Sequence, residues 1–70
     1  MAAYDLSILV AQLRKAGYDA RNLGGVGLTI WGANGRGIYV PAHEAARIAD
    51  ALARRAYDEI PVERTEAVAA

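Results

Sequence analysis

Apolar residues in the first part of the chain recur with the period of an α-helix. Four large aliphatic residues occupy i, i+3, i+4 and i+7, positions that share one helical face: Leu6, Leu9, Val10 and Leu13. Asp5 lies near the start of this stretch, where a negative charge is favoured. Gly17 follows it, at a position where a left-handed residue commonly ends a helix. The pattern therefore predicts an amphipathic helix over residues 3–16.

Two short runs rich in β-branched and aromatic residues follow, Val26–Trp31 and Gly37–Val40, with Asn34-Gly35 between them. An Asn-Gly pair in this setting is typical of a β-hairpin with a two-residue type I′ turn. That turn would place Trp31 opposite Ile38 and would leave large apolar side chains on both faces of the hairpin. Either the two helices cover opposite faces, or they share one face and a partner covers the other. The second arrangement is favoured.

The segment Tyr18–Leu23 is either a third strand or a loop, and the strand is favoured because an isolated two-stranded hairpin is marginally stable. A second helix is predicted from Pro41 to about Glu59. Pro suits the first helical position, and small apolar residues, mainly Ala, occupy one half of the helical wheel. Pro61 then ends the helix.

These elements predict an α+β fold in the order helix, antiparallel β-hairpin or three-stranded meander, helix. We expect residues 1–60 to form a single small domain. Residues 61–70 contain few large apolar groups that could anchor them, so we expect a flexible C-terminal tail.

Composition narrows the classes of function. Eight basic and eight acidic residues give a net charge of zero, and the chain has no Cys. Zero net charge removes the basic footprint on which nucleic-acid binding usually relies. The absence of Cys fits a reducing compartment, and no apolar run approaches the length that spans a bilayer. We therefore expect a cytoplasmic protein that has no membrane association.

The residues that could support catalysis are few. His43 is the single His, and Ser7 has no identifiable base near it in the sequence. His43 and Glu44 together supply too few good ligands for zinc. A chain of this length rarely encloses a pocket that could position and perturb a general base. We therefore assign no catalytic or metal-ligating residue, expect no cofactor, and do not expect an enzyme.

One feature points to a particular class of function: the chain has more apolar surface than two helices can cover. Besides the hairpin, Tyr4 and Ile8 lie on the side of the first helix opposite its aliphatic stripe. The candidate contact residues are Tyr4, Ile8, Trp31, Arg36, Ile38 and Tyr39. They predict a non-enzymatic protein–protein interaction module, a homodimer that acts as a regulator or inhibitor of a larger assembly, for example a phage-encoded antagonist of a host system.

The alternative is a regulator that binds nucleic acid. In that case Trp31 and Tyr39 would stack on bases. Phosphate contacts would come from scattered basic residues, namely Arg14, Lys15, Arg21 and Arg36. The zero net charge of the chain disfavours this alternative.

Overall fold

The computed structural model describes residues 5–64, and its architecture is α+β. The elements in chain order are α1 (Leu6–Lys15), β1 (Asp19–Asn22), β2 (Gly27–Trp31), β3 (Gly37–Pro41) and α2 (Ala45–Ala53). Single 3₁₀ turns flank α2, at Ala42–Glu44 and Tyr57–Glu59. The strands form one antiparallel sheet in the order β1-β2-β3. The predicted fold class is confirmed, and the segment Tyr18–Leu23 contains a strand rather than only a loop.

One hydrophobic core lies between a single face of the sheet and both helices. Helix α1 contributes its four predicted aliphatic residues, all of them buried. The sheet contributes Ala20, Leu28, Ile30 and Val40. Helix α2 contributes Ala45, Ile48 and Ala51. Because both helices pack on this core face, no helix in residues 5–64 covers the opposite face, which we call the outer face.

Helix α1 is bounded by a cap at each end. Asp5 has an extended backbone, and its carboxylate accepts a hydrogen bond from the backbone N–H of Ser7 at 3.0 Å. The helix therefore begins at Leu6, and the predicted start at residue 3 lies outside the described residues. Gly17, at a φ of 101°, ends the helix in the left-handed conformation predicted for it.

The second helix is shorter than the predicted span from Pro41 to about Glu59. Pro41 ends β3, and α2 ends at Ala53. The chain then turns through Arg55, which has a φ of 56°, and the two backbone hydrogen bonds of a Schellman motif close the helix at 2.8 and 3.1 Å. The prediction missed this end because an arginine, and not a glycine, occupies the left-handed position.

The hairpin turn contains one residue more than predicted. The N–H of Gly32 donates to the carbonyl of Arg36 at 2.8 Å, and the N–H of Gly35 donates to the carbonyl of Gly32 at 3.0 Å. Gly35 has a φ of 82°, whereas Asn34 does not take the positive φ that a type I′ turn requires. The connection is therefore a three-residue loop, a type I turn followed by a G1 bulge.

This extra residue reverses the faces of β3 relative to β2. Trp31 pairs with Gly37 and not with Ile38. Four aliphatic residues of the hairpin share the core face: Leu28, Ile30, Ile38 and Val40. Tyr39 instead joins Trp31 on the outer face. Large apolar side chains therefore lie on both faces of the hairpin, but the predicted assignment of β3 residues to faces is wrong, and the outer face is mainly aromatic.

The predicted boundary between domain and tail falls after residue 60. Ile60 is buried in the core. The backbone of Glu63 lies 3.3 Å from the point where a Cβ on Gly32 would be, and the guanidinium of Arg64 lies 4.7 Å from the ring centre of Tyr57. Residues 61–64 therefore contact the folded domain. The remainder of the predicted tail, 65–70, lies outside the described residues.

Candidate protein interface on the outer face of the sheet

Two aromatic side chains of the outer face lie across glycines of the neighbouring strand. A Cβ on Gly27 would lie 2.6 Å from Cζ of Tyr39, and a Cβ on Gly37 would lie 2.7 Å from Nε1 of Trp31. The hydroxyl of Tyr39 donates to the carbonyl of Val26 at 3.1 Å. The two glycines therefore supply the space in which both rings rest against the backbone of the sheet.

The outer face keeps apolar area exposed to solvent. Tyr39 is 52 % exposed. Trp31 and Thr29 are half-buried. Arg21 pairs with Thr29 across the β1–β2 ladder and is exposed on the same face. Asp19 pairs with Trp31 and is also exposed on this face. The outer face thus combines two aromatic rings and a hydroxyl with one anionic and one cationic side chain on β1.

The structure brings together only some of the predicted contact residues. Trp31 and Tyr39 share the outer face, and Arg36 is exposed at the end of the hairpin. Ile38 lies on the core face, where it is half-buried against the core. Because the turn is one residue longer than predicted, Tyr39 and not Ile38 lies on the same face as Trp31.

The two remaining predicted residues lie elsewhere. Ile8 is 54 % exposed on the side of α1 that is turned away from the core, so helix and sheet separate it from the outer face. Tyr4 lies outside the described residues. Ile8 is therefore not part of the same surface as the aromatic pair.

Arg14, one of the predicted phosphate contacts, is hydrogen-bonded within the fold. Its Nε and Nη2 donate to the carbonyl of Ala20 at 3.1 and 2.8 Å. In an antiparallel ladder, hydrogen-bonded and non-hydrogen-bonded residue pairs alternate, and the N–H of Leu23 donates to the carbonyl of Gly27. Ala20 therefore lies in a non-hydrogen-bonded pair, and its carbonyl points away from β2. Arg14 therefore covers the free edge of β1. The sequence contains no local signal for this contact.

A groove with a volume of about 660 Å³ lies between the C-terminal half of α1 and helix α2. Small side chains of Ala16, Ala49 and Ala53 line it beside the half-buried Leu52 and Tyr57. Longer polar side chains complete the lining: Gln12, Lys15, Asp50 and Arg55. Among the residues that line it there is no Ser, Cys or His.

Charged side chains at both ends of α2 form pairs at the surface. Arg54 bonds to Asp50 at 2.9 Å and to Glu59, and the hydrogen bond from Arg54 lowers the pKa of the Glu59 carboxyl. The His43 side chain is 78 % exposed, with Nε2 3.6 Å from Glu44. Within residues 5–64, no group of three or more His, Cys, Asp or Glu side chains could hold a metal ion.

Comparison with known proteins gives no match: no protein-family model fits the chain, and no curated protein or solved structure is significantly similar to it. No helix in the described part of the chain is long and apolar enough to cross a bilayer. The function must therefore be argued from the surface of the molecule.

Proposed function

We propose that this chain is a non-enzymatic protein–protein interaction module that forms a homodimer and binds a protein partner through its outer face. One observation carries the proposal. Trp31 and Tyr39 share a sheet face on which no helix of the described chain packs, and Tyr39 is 52 % exposed there. Aromatic side chains held against a rigid backbone give large contact area at low cost in conformational entropy, and they dominate binding hot spots.

The distribution of charge supports a protein as the partner. Strands β2 and β3 contain no charged residue, and the exposed Asp19, Arg21 and Arg36 lie beside the aromatic pair and not between the rings. Protein interfaces have this anatomy, with a centre depleted of charge and a polar rim. The zero net charge of the chain also gives no general attraction for a polyanion.

A module of this size affects its partner by covering part of the partner's surface. We therefore propose that it regulates or inhibits a larger assembly in the cytoplasm, where the absence of Cys is in keeping with a reducing environment. A phage-encoded antagonist of a host system is one example of such a regulator.

The geometry of the outer face also favours a second candidate, binding of single-stranded nucleic acid. Trp31, Tyr39 and Arg21 share one face, and proteins that bind single strands combine stacking aromatic residues with basic groups. Two facts place it second. The net charge is zero, and Arg14, which would have contacted phosphate, donates both of its hydrogen bonds to the carbonyl of Ala20.

Quantitative affinity capture from the native host tests the proposal, with the wild-type chain, Trp31→Ala, Tyr39→Ser and Ile8→Ser as baits. Ile8→Ser is the matched control, because Ile8 is 54 % exposed, close to the 52 % of Tyr39, but lies on the other side of the molecule. We expect the wild type and Ile8→Ser to recover the same protein. The two outer-face variants should lose it by at least about tenfold.

Circular dichroism of each bait first establishes that it is folded. Equal recovery by all four baits would overturn the assignment of the outer face. In parallel, labelled single-stranded DNA and RNA are titrated at two salt concentrations. Binding that is lost with Trp31→Ala and falls steeply with salt would favour the second candidate over a protein partner.

A further inference from the structure

Strand β3 is an outermost strand, and its outward backbone groups have no partner among the described residues. The hydrogen bond from the N–H of Gly32 to the carbonyl of Arg36 sets the alternation of the β2–β3 ladder. In that alternation the N–H and C=O groups of Gly37 and Tyr39 point away from β2. At Pro41, only a carbonyl does so.

The other edge of the sheet differs in both sequence and contacts. Strand β1, Asp19–Asn22, is polar, and Arg14 covers its outward carbonyl at Ala20. Strand β3, Gly37–Pro41, contains no charged residue. Proteins usually protect a free edge with charges, bulges, Pro or a covering element. Of these devices, Pro41 at the last position is the only one that β3 shows within residues 5–64.

We propose that β3 pairs antiparallel with β3 of a second copy, which joins two three-stranded sheets into one continuous sheet. This inference rests on the proposed homodimer and specifies its interface. A twofold axis at Tyr39 makes the edge self-complementary. The two Tyr39 residues exchange N–H···O bonds, and the N–H of each Gly37 meets the carbonyl of Pro41 in the other copy. Every outward N–H then has an acceptor. Pro41 has no N–H, so it adds no donor that would need one.

The side chains fit the same axis. It brings two half-exposed Tyr39 rings next to each other on the outer face, where cross-strand aromatic pairs are stabilising. The surface formed by Trp31 and Tyr39 then continues across both copies, so the edge makes the dimer and the face remains for the partner.

A groove of about 510 Å³ runs along β3 on the side of α2, and its charged lining residues are Glu44, Arg47 and Glu59. Glu59 is already paired with Arg54. Among the described residues, Arg47 forms no ion pair. A groove that carries both signs offers each copy an opposite charge on the other. The charges near the edge thus favour a second copy over a partner of one dominant charge.

Amide hydrogen exchange, followed by NMR at about 30 µM and about 1 mM, tests this interface. The structure contains its own control. The amide of Ala20 also points away from β2, but on the edge of β1 that Arg14 covers. We expect exchange at Gly37 and Tyr39 to slow by at least about tenfold in the concentrated sample, with the rate at Ala20 unchanged.

Failure of the proposed β3 pairing can be distinguished from failure of the proposed homodimer. If sedimentation shows a dimer but the amide of Tyr39 exchanges at the same rate in both samples, the edge inference is wrong and the proposed dimer stands. If the chain is monomeric at the higher concentration, both are wrong.

A pair of variants provides a second measurement. Tyr39→Pro removes an outward N–H and leaves the ladder to β2 intact, whereas Tyr39→Thr removes the ring and keeps the donor. Among molecules shown to be folded by circular dichroism, we expect dimerisation to be weaker in Tyr39→Pro than in Tyr39→Thr by at least about tenfold. Equal dissociation constants would overturn the inference.

Discussion

Tyr18 shows how a single buried residue can carry an unfavourable group. Its side chain is 4 % exposed, and its hydroxyl has no hydrogen-bond partner in the part of the chain that the structure describes. Burial raises the pKa of this phenol above its ordinary value of 10.0, because the phenolate would lose its hydration. The ring therefore fills volume in the core, while the hydroxyl costs free energy there.

Tyr18→Phe should raise the free energy of unfolding by about 1 kcal/mol, because it removes a buried donor that makes no bond. Urea denaturation at neutral pH measures the change. A loss of stability in the variant would contradict the environment described for the hydroxyl.

The raised pKa of Tyr18 predicts a dependence on alkaline pH. The folded state favours the neutral phenol, so its contribution is fully present below the ordinary value of 10.0 and is lost as the pH rises from there through the higher folded-state pKa. Stability of the wild type should therefore fall more steeply than that of Tyr18→Phe above about pH 10. Parallel slopes from neutral to strongly alkaline pH would exclude this role.

Arg55 is the non-glycine residue at a positive φ in the described chain. A side chain in the left-handed conformation costs about 1 kcal/mol relative to glycine. Arg55→Gly should therefore raise the free energy of unfolding by about that amount, measured by thermal denaturation. Arg55→Ala is the matched control, since it removes the guanidinium but keeps the Cβ, and it should gain little. An equal gain in both variants would assign the effect to the side chain instead of the backbone.

At the scale of elements, the sequence predicts α1 well because every signal agrees there. The aliphatic stripe, the capping carboxylate of Asp5 and the left-handed Gly17 all specify the same helix. The end of α2 could not be predicted, because Arg55 is an unusual residue for a left-handed position. The predicted register of β3 is wrong because Asn34-Gly35 is compatible with both a two-residue and a three-residue loop. The two loops differ in length by one residue, which is enough to change the register.

Substitution of Gly27 tests whether the ring of Tyr39 rests against the backbone of β2. The φ of Gly27 allows any residue, but a Cβ there would lie 2.6 Å from Cζ of Tyr39. Gly27→Val should therefore cost about 1 kcal/mol in the wild-type chain. In a Tyr39→Ser background the same change should be neutral or stabilising, because Val favours strands. A double-mutant cycle of unfolding free energies measures the coupling, and additive effects would show that the ring does not rest on Gly27.

At the scale of the whole molecule, the fold makes its two sheet faces and its two sheet edges unequal. Within residues 5–64, helices cover one face and Arg14 covers one edge, which leaves an aromatic face and the open edge of β3. Residue type alone selects Trp31 and Tyr39 as candidate contact residues. Their presence on one surface, and the separation of Ile8 from them, depend on the register and on helix packing, which no local sequence pattern determines.

The dimer proposal meets its most direct test in sedimentation equilibrium of the wild-type chain from about 10 µM to about 1 mM. The average mass should rise with concentration from the 7.4 kDa of one chain towards twice that value. A mass that stays at 7.4 kDa up to the highest concentration would contradict the proposal that this chain works as a symmetric pair.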